Sequence, residues 1–264
     1  GIDYAEDNNF SLIIALDCGI KAIDKVAYAT KKGVDFIICD HHRPGAEIPK
    51  AKAVLDPKQE DCEYPFKELC GCGVGFKLIQ ALASKKGETI EDLVLYLDLV
   101  ATAIGADIVP IVGENRILAY HGLKVINKNP RPGFEAILKQ VKKEKLTITD
   151  VVFIIAPRIN AAGRMKHGNH AVTLLCETDI NLAAEYAIDI DTYNTDRRDA
   201  DKRITIEALA QIEENKEQDR LTSVVYDENW HKGVIGIVAS RLIETYYRPT
   251  LVFTKSGEML AASA

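Results

Sequence analysis

The sequence predicts an α/β protein: a parallel sheet flanked by helices, a long connecting helix, and the start of a second α/β domain. Three observations carry this. Two short apolar runs, Leu12–Leu16 and Phe36–Cys39, each end in an acidic residue followed by a turn. An amphipathic helical pattern lies between them. The strand–helix–strand succession then recurs after a long, highly charged helical stretch. Uniformly apolar strands are buried on both faces, and a helix joining two of them makes a right-handed parallel unit.

The elements follow in order. Leu12–Leu16 is a strand closed by Asp17-Cys18-Gly19. Lys21–Lys32 places Ala22, Ile23, Val26 and Ala27 at helical spacing, with Gly33 as its C-cap. Asp35–Cys39 is the next strand and ends in Asp40-His41-His42; Ala53–Leu55 is a third, stopped by Asp56-Pro57. The carboxyl ends of parallel strands face the ligand crevice, so Asp17, Asp40, His41 and His42 are expected at one edge. Two carboxylates and two imidazoles there suit a divalent cation.

Lys58–Leu69 reads as a loop. Gly71-Cys72-Gly73-Val74-Gly75 reads as a turn before a helix over Phe76–Lys86. Such a turn can cradle phosphate, but no Lys-Ser/Thr follows, which favours tight helix–sheet packing instead. Helices are expected over Glu91–Ala103 and Glu114–Asn127, with Asp107 at the junction between them and Asn129–Gly133 as a loop. Lys139–Lys145 reads as a solvated basic face. Val151–Ile155 has strand propensity after a capping Thr149, so its type stays open. Ala156–Arg164 presents two arginines and an asparagine among small residues, which suits an anion-binding turn. Residues 180–216 form the long charged helix, and a helix polar on most sides commonly bridges domains. Ser223–Asp227, Val234–Tyr246 and Pro249–Thr254 are strand, helix and strand. The expected domains are residues 1–178, the connecting helix 179–218, and 219–264.

Composition narrows the classes. The 264 residues are 47% hydrophobic and 27% charged, and no apolar run reaches the roughly 18 residues of a membrane span. Six scattered cysteines fit reduced thiols in the cytoplasm. A net charge of −6 gives no global attraction to nucleic acid. A metal-lined groove would supply positive charge of its own. The chain opens just before its first strand and closes within a strand-like stretch, as a piece of a longer protein would.

Asp17-Cys18-Gly19, Asp40-His41-His42, Gly105-Ala106-Asp107 and Pro157-Arg158-Ile159-Asn160-Ala161-Ala162-Gly163-Arg164, in this order, resemble the DHH phosphoesterase superfamily. The last motif and Trp230–Arg241 resemble its single-strand-specific DNA exonucleases rather than its smaller members. The resemblance implies a 5′→3′ exonuclease of single-stranded DNA, serving repair and recombination, with two Mn²⁺ or Mg²⁺ ions. It implies Asp17 as a bridging carboxylate, with His41 and Asp107 as further ligands. His42 would face the scissile phosphate and Asp40 would orient a neighbouring histidine, while Arg158, Asn160 and Arg164 would meet the phosphodiester backbone. Single-strand-binding protein and a helicase are the partners it suggests, and no membrane. The family's first motif, an Asp-x-Asp pair, is absent, so the metal pair is expected to be incomplete and this chain inactive by itself. A phosphodiesterase of short oligonucleotides or cyclic dinucleotides, or a non-catalytic scaffold, are the alternatives.

Overall fold

The computed structural model describes residues 1–264, which form two compact units. Unit 1 comprises residues 1–130 and 142–156; unit 2 comprises 131–141 and 157–264. These limits differ from the 178/179 and 218/219 divisions that the sequence suggests.

Unit 1 begins with α1 (Ile2–Asp7), β1 (Leu12–Leu16), α2 (Ile23–Lys31), β2 (Asp35–Cys39) and β3 (Ala53–Leu55). The three strands pair in parallel in the order β1-β2-β3, so β1 and β3 are edge strands and β2 is central. Register sets the two faces: Ile14 lies opposite Ile37 and Leu16 opposite Cys39, while Ile13 pairs with Phe36. Alternation along a strand sends these two sets to opposite sides. Ile13 and Phe36 pack with Ala5 of α1 and Ala29 of α2. Ile37, Cys39 and Leu55 meet the other layer, α3 (Gly71–Lys85) and α5 (Leu97–Ala106). Helices thus cover both faces. Leu12, Ile14 and Leu16 nonetheless stay about half exposed.

Between α3 and α5 lie α4 (Ile90–Leu93) and a 3₁₀ turn at Val94–Tyr96; α6 (Gly113–Lys128) follows. Val74, Phe76, Leu97, Val100, Ile104 and Leu118 form the centre of the unit's main core. Each such side chain contributes about 1.5–3 kcal/mol by leaving water. Helices α5 and α6 meet backbone to backbone, because a Cβ at Gly122 would stand 2.6 Å from the Ala101 methyl and 2.7 Å from the Leu97 carbonyl carbon.

The glycine run is not a turn ahead of a helix. It is the first turn of α3 itself, capped by Cys70, whose sulfur accepts from the Gly73 N–H at 3.3 Å. Its residues permit close approach: a Cβ at Gly75 would meet Leu16 at 3.1 Å. The packing reading of these glycines is the one the structure contains.

Unit 1 closes with α8 (Ile148–Asp150), capped by a reciprocal Thr147–Asp150 box, and a π-helical turn at Val151–Ile155. The β-branched run is therefore helical, with Val151 and Ile155 buried four residues apart. A wider turn just before Pro157 fits a residue that lacks an N–H for the ladder.

Unit 2 contains α7 (Pro132–Val141), α9 (Ala156–Met165), α10 (Asn169–Cys176) and α11 (Ile180–Glu214). It continues through β4 (Ser223–Tyr226), α12 (Ile235–Tyr246), β5 (Thr250–Ser256) and β6 (Met259–Ser263). Two segments differ from expectation. The loop ends at Pro132, which starts a helix because proline suits a first helical turn. Ala156–Arg164 is helix rather than turn. The long helix α11 packs within unit 2, where it lies against α7 and α10. In its second half Ile204, Ala208 and Ile212 join Val225, Trp230, Val238 and Leu242 in one core. Strands β4 and β5 are parallel, and β6 adds antiparallel. Trp230 is buried and donates from Nε1 to Glu207 Oε2 at 2.8 Å, so it is a packing residue.

Candidate metal centre

The carboxyl edge of the first sheet gathers the acidic and imidazole side chains. Asp17 follows β1 directly, in the left-handed region at φ 63°, with its N–H bonded to the Cys39 carbonyl at 2.9 Å. Few residues without a glycine's freedom hold that conformation, though Asp is among the better suited. Gly71 is what lets the side chain stand there: a Cβ at this position would lie 2.6 Å from both Cβ and Cγ of Asp17. Asp40 and His41 follow β2, and the Asp40 N–H is tied to the Leu55 carbonyl at 3.0 Å. Asp107 ends α5, whose last turn is buried and includes Gly105, itself pressed against Val151.

The structure brings Asp17, His41 and Asp107 together. His41 Nε2 is 3.2 Å from Asp17 Oδ1 and 3.3 Å from Asp107 Oδ2. Neither approach has hydrogen-bond geometry, and both ring nitrogens of this buried imidazole lack a hydrogen-bond partner. Asp17 and Asp107 have no lysine or arginine in ion-pair contact. A buried imidazole without hydrogen-bond partners costs energy, and two carboxylates converging on it repel each other. A divalent cation among them would answer both, and oxygen donors with one imidazole match the preference of Mn²⁺ or Mg²⁺. These residues fit such an ion. Asp17, His41 and His42 also have donor atoms within 4.8 Å of one another, so His42 borders the same cluster.

Asp40 has a different environment. It is 1% exposed, and its Oδ2 accepts from the Ile20 N–H at 2.9 Å. Its Oδ1 accepts from the His41 N–H at 2.8 Å and the His42 N–H at 3.2 Å, and contacts His42 Nδ1 at 2.7 Å. Burial alone would raise its pKa, but these bonds together outweigh burial and hold the carboxyl below its usual range. The Asp40 bond raises the pKa of His42 against the effect of burial, with Asp17 and Asp107 adding to it. Asp107 goes the other way: burial raises it, Asp17 adds to that, and His41 opposes.

Arg158, Asn160 and Arg164 lie on α9 in unit 2. Arg158 is ion-paired to Asp191 at 2.8 Å, the ordinary structural use of such a residue. Asn160 and Arg164 are exposed, and Arg164 Nη1 donates to the Gly233 carbonyl at 3.3 Å.

Sequence reasoning passed over two participants. Asp56 follows β3 as Asp40 follows β2, is 2% exposed, and is raised first by burial and further by Asp40. The repeated pattern of an apolar strand ending in Asp was its signal. Gly71 was read with its neighbouring glycines, although its own role is to leave room for Asp17.

A parallel sheet with a cation-ready cluster at its carboxyl edge defines a class, and comparison with known proteins gives it relatives. Residues 2–104 match the model described as "DHH family, N-terminal domain". Among individual proteins, the similarity is to RecJ. The chain is 41% identical over 249 residues to the single-stranded-DNA-specific exonuclease RecJ of Bacillus subtilis, covering 94% of this chain and 31% of that protein. It is 35% identical over 272 residues to RecJ of Escherichia coli, covering 97% and 47%. Among solved structures, RecJ in complex with Mn²⁺ from Thermus thermophilus matches with a TM-score of 0.83 at 28% identity, over 96% of this chain and 38% of that one. An exonuclease RecJ bound to manganese also gives 0.83, at 30% identity, over 95% and 63%. The chain thus spans about a third to a half of these curated relatives. No helix is long and apolar enough to cross a membrane.

Proposed function

We propose that the protein containing this chain hydrolyses phosphodiester bonds of single-stranded DNA from the 5′ end, using two Mn²⁺ or Mg²⁺ ions, in DNA repair and recombination. The observation that supports it is the convergence of Asp17, Asp107 and the partnerless Nε2 of His41. The resemblance to exonucleases named RecJ supplies the substrate class. Asp17, His41 and Asp107 would hold the cations. When bound, such ions lower the pKa of water and offset charge on phosphoryl oxygens.

The remaining work falls to the chain's own groups. Asp40 fixes His42 through Nδ1, which leaves Nε2 of this exposed ring directed away from that bond. The Asp40 bond raises the His42 pKa, so the ring keeps its second proton to higher pH than it otherwise would, and in that form it would offer the phosphate a charged donor. Asp40 also ties down the backbone of the Asp-His-His segment and of Ile20, so the two strand ends keep one geometry. Arg164 in unit 2 contributes a charge for the backbone of the strand.

Exonuclease turnover with Mn²⁺ on 5′-phosphorylated single strands tests the reading in the complete protein. Asp17→Ala removes a shared ligand and abolishes turnover. Arg164→Ala weakens binding by about 1–3 kcal/mol. Full activity of the Asp17 variant overturns the assignment.

A further inference from the structure

We propose that a groove on α11, where it meets Arg241 of α12, is a phosphate-binding track for single-stranded nucleic acid, with Arg197, Arg198 and Lys202 as its contacts. This rests on the nuclease reading above and extends it to a site in unit 2 that lies apart from the acidic cluster in sequence and in composition.

The groove encloses about 880 Å³. Thr195, Arg198 and Lys202 recur at intervals of three and four along α11, which puts them on one helical face. Four residues advance a helix by about 6 Å, so Arg198 and Lys202 are spaced to meet successive phosphates of an extended strand.

The arginines are set by their neighbours rather than left to swing. Arg241 makes two bonds to Asp201, Nε and Nη2 each donating at 2.7 Å, and Asp201 is 3% exposed. Arg197 donates from Nη2 to Asn194 Oδ1 at 2.8 Å, a neutral acceptor. Thr205, on the groove wall, has a buried hydroxyl without a partner. With Asp201 answered by Arg241, the lining keeps three positive charges against that of Asp199. This positive excess stands out on a chain of net charge −6.

The strain among these cations is visible. Burial, and repulsion from Arg164, Arg198 and Arg241, pull the Arg197 guanidinium below its ordinary value despite Asp201. A bound phosphate relieves that repulsion. Arginine forks and a lysine point charge beside a hydroxyl form a donor set for phosphate oxygens. The groove contains no aromatic side chain on which a base could stack, so the track reads backbone charge and not sequence.

The test is fluorescence anisotropy of a labelled oligo(dT) with the 264-residue chain in EDTA, where the metal site plays no part. Affinity is followed from low to high salt for the parent chain, Arg198→Gln/Lys202→Gln, and Arg198→Lys. Both altered residues are exposed, and melting curves check folding. The double variant should bind on the order of tenfold more weakly, with a salt slope smaller by about 1.4, or about 0.7 per lost contact on single strands. Arg198→Lys should keep the slope. Inorganic phosphate should compete only at far higher phosphate concentration than unlabelled oligo(dT). An unchanged affinity and slope in the double variant overturns the track. If the same two substitutions, placed in the complete protein, still allow digestion of single strands with Mn²⁺ while Asp17→Ala does not, the nuclease reading survives that loss. Equal competition by inorganic phosphate also overturns it, because the groove would then be a simple anion site.

Discussion

Replacing Gly71 by alanine should damage the acidic cluster without removing any of its donor atoms, because the added methyl would press on Oδ1 of Asp17. The added methyl would stand 2.6 Å from Cβ and Cγ of Asp17, where carbon atoms in contact need about 3.5–4.0 Å. Asp17 must therefore retreat by about 1 Å. Its backbone cannot readily yield, since it holds φ 63° and is bonded to Cys39. Rotation of the side chain then carries Oδ1 away from His41 Nε2, now 3.2 Å distant. Overpacking of this kind costs about 1–3 kcal/mol in stability. Loss of a group that orients a ligand lowers metal affinity by about 10–100-fold, or about 1.4–2.8 kcal/mol. Free Mn²⁺ followed by electron paramagnetic resonance during titration, beside thermal melts without metal, measures both. A folded Gly71→Ala protein whose Mn²⁺ affinity lies within twofold of the parent would refute the reasoning, because the carboxylate would then not need its place beside α3.

Three further expectations follow from the geometry. Asp40→Asn removes the anion that raises His42, so the His42 pKa measured by NMR should fall; an unchanged value would show that Asp40 does not govern the ring. Because the folded Asp40 pKa is depressed, its stabilisation is present above about pH 4 and disappears as pH falls through the folded value, so denaturant midpoints of parent and variant should converge in acid. Asp150 caps α8 and is paired to Lys143, which holds its pKa at about 2; Asp150→Ala should cost about 1 kcal/mol at neutral pH, and the difference should shrink between pH 4 and 2 in urea melts. Gly122→Ala forces α5 and α6 apart against the Leu97 backbone, and its destabilisation should reach about 3 kcal/mol or more, read as a lowered melting temperature; a neutral result would mean the helices can separate freely.

The sheet was legible because its strands are short, apolar and punctuated. Leu12–Leu16, Asp35–Cys39 and Ala53–Leu55 stand where the sequence predicts them. Their ends also told which edge would collect Asp17 and His41, since a parallel sheet presents all its carboxyl ends together. What was not legible depended on partners distant in the chain. Pro132 looked like punctuation within Asn129–Gly133, yet it starts α7, whose buried Phe134 and Ile137 mark its inner face. The strand-like Val151–Ile155 is helical because burial at a four-residue interval outweighed β-branched propensity. Gly71 could not be separated from Gly73 and Gly75 without knowing that Asp17 occupies the space beside it.

The edge position of β1 has a consequence for motion. Its backbone is laddered to β2 on one side only, so its amides should exchange with solvent through small openings that leave β2 closed. Asp17 is mounted at the end of that strand, whereas Asp40 and His41 extend the central one, held between two neighbours. One carboxylate of the cluster therefore belongs to an edge strand, and its neighbouring imidazole to the central one. A cation joining them would tie the two together, and slower amide exchange along Leu12–Leu16 would register its arrival before any chemistry took place.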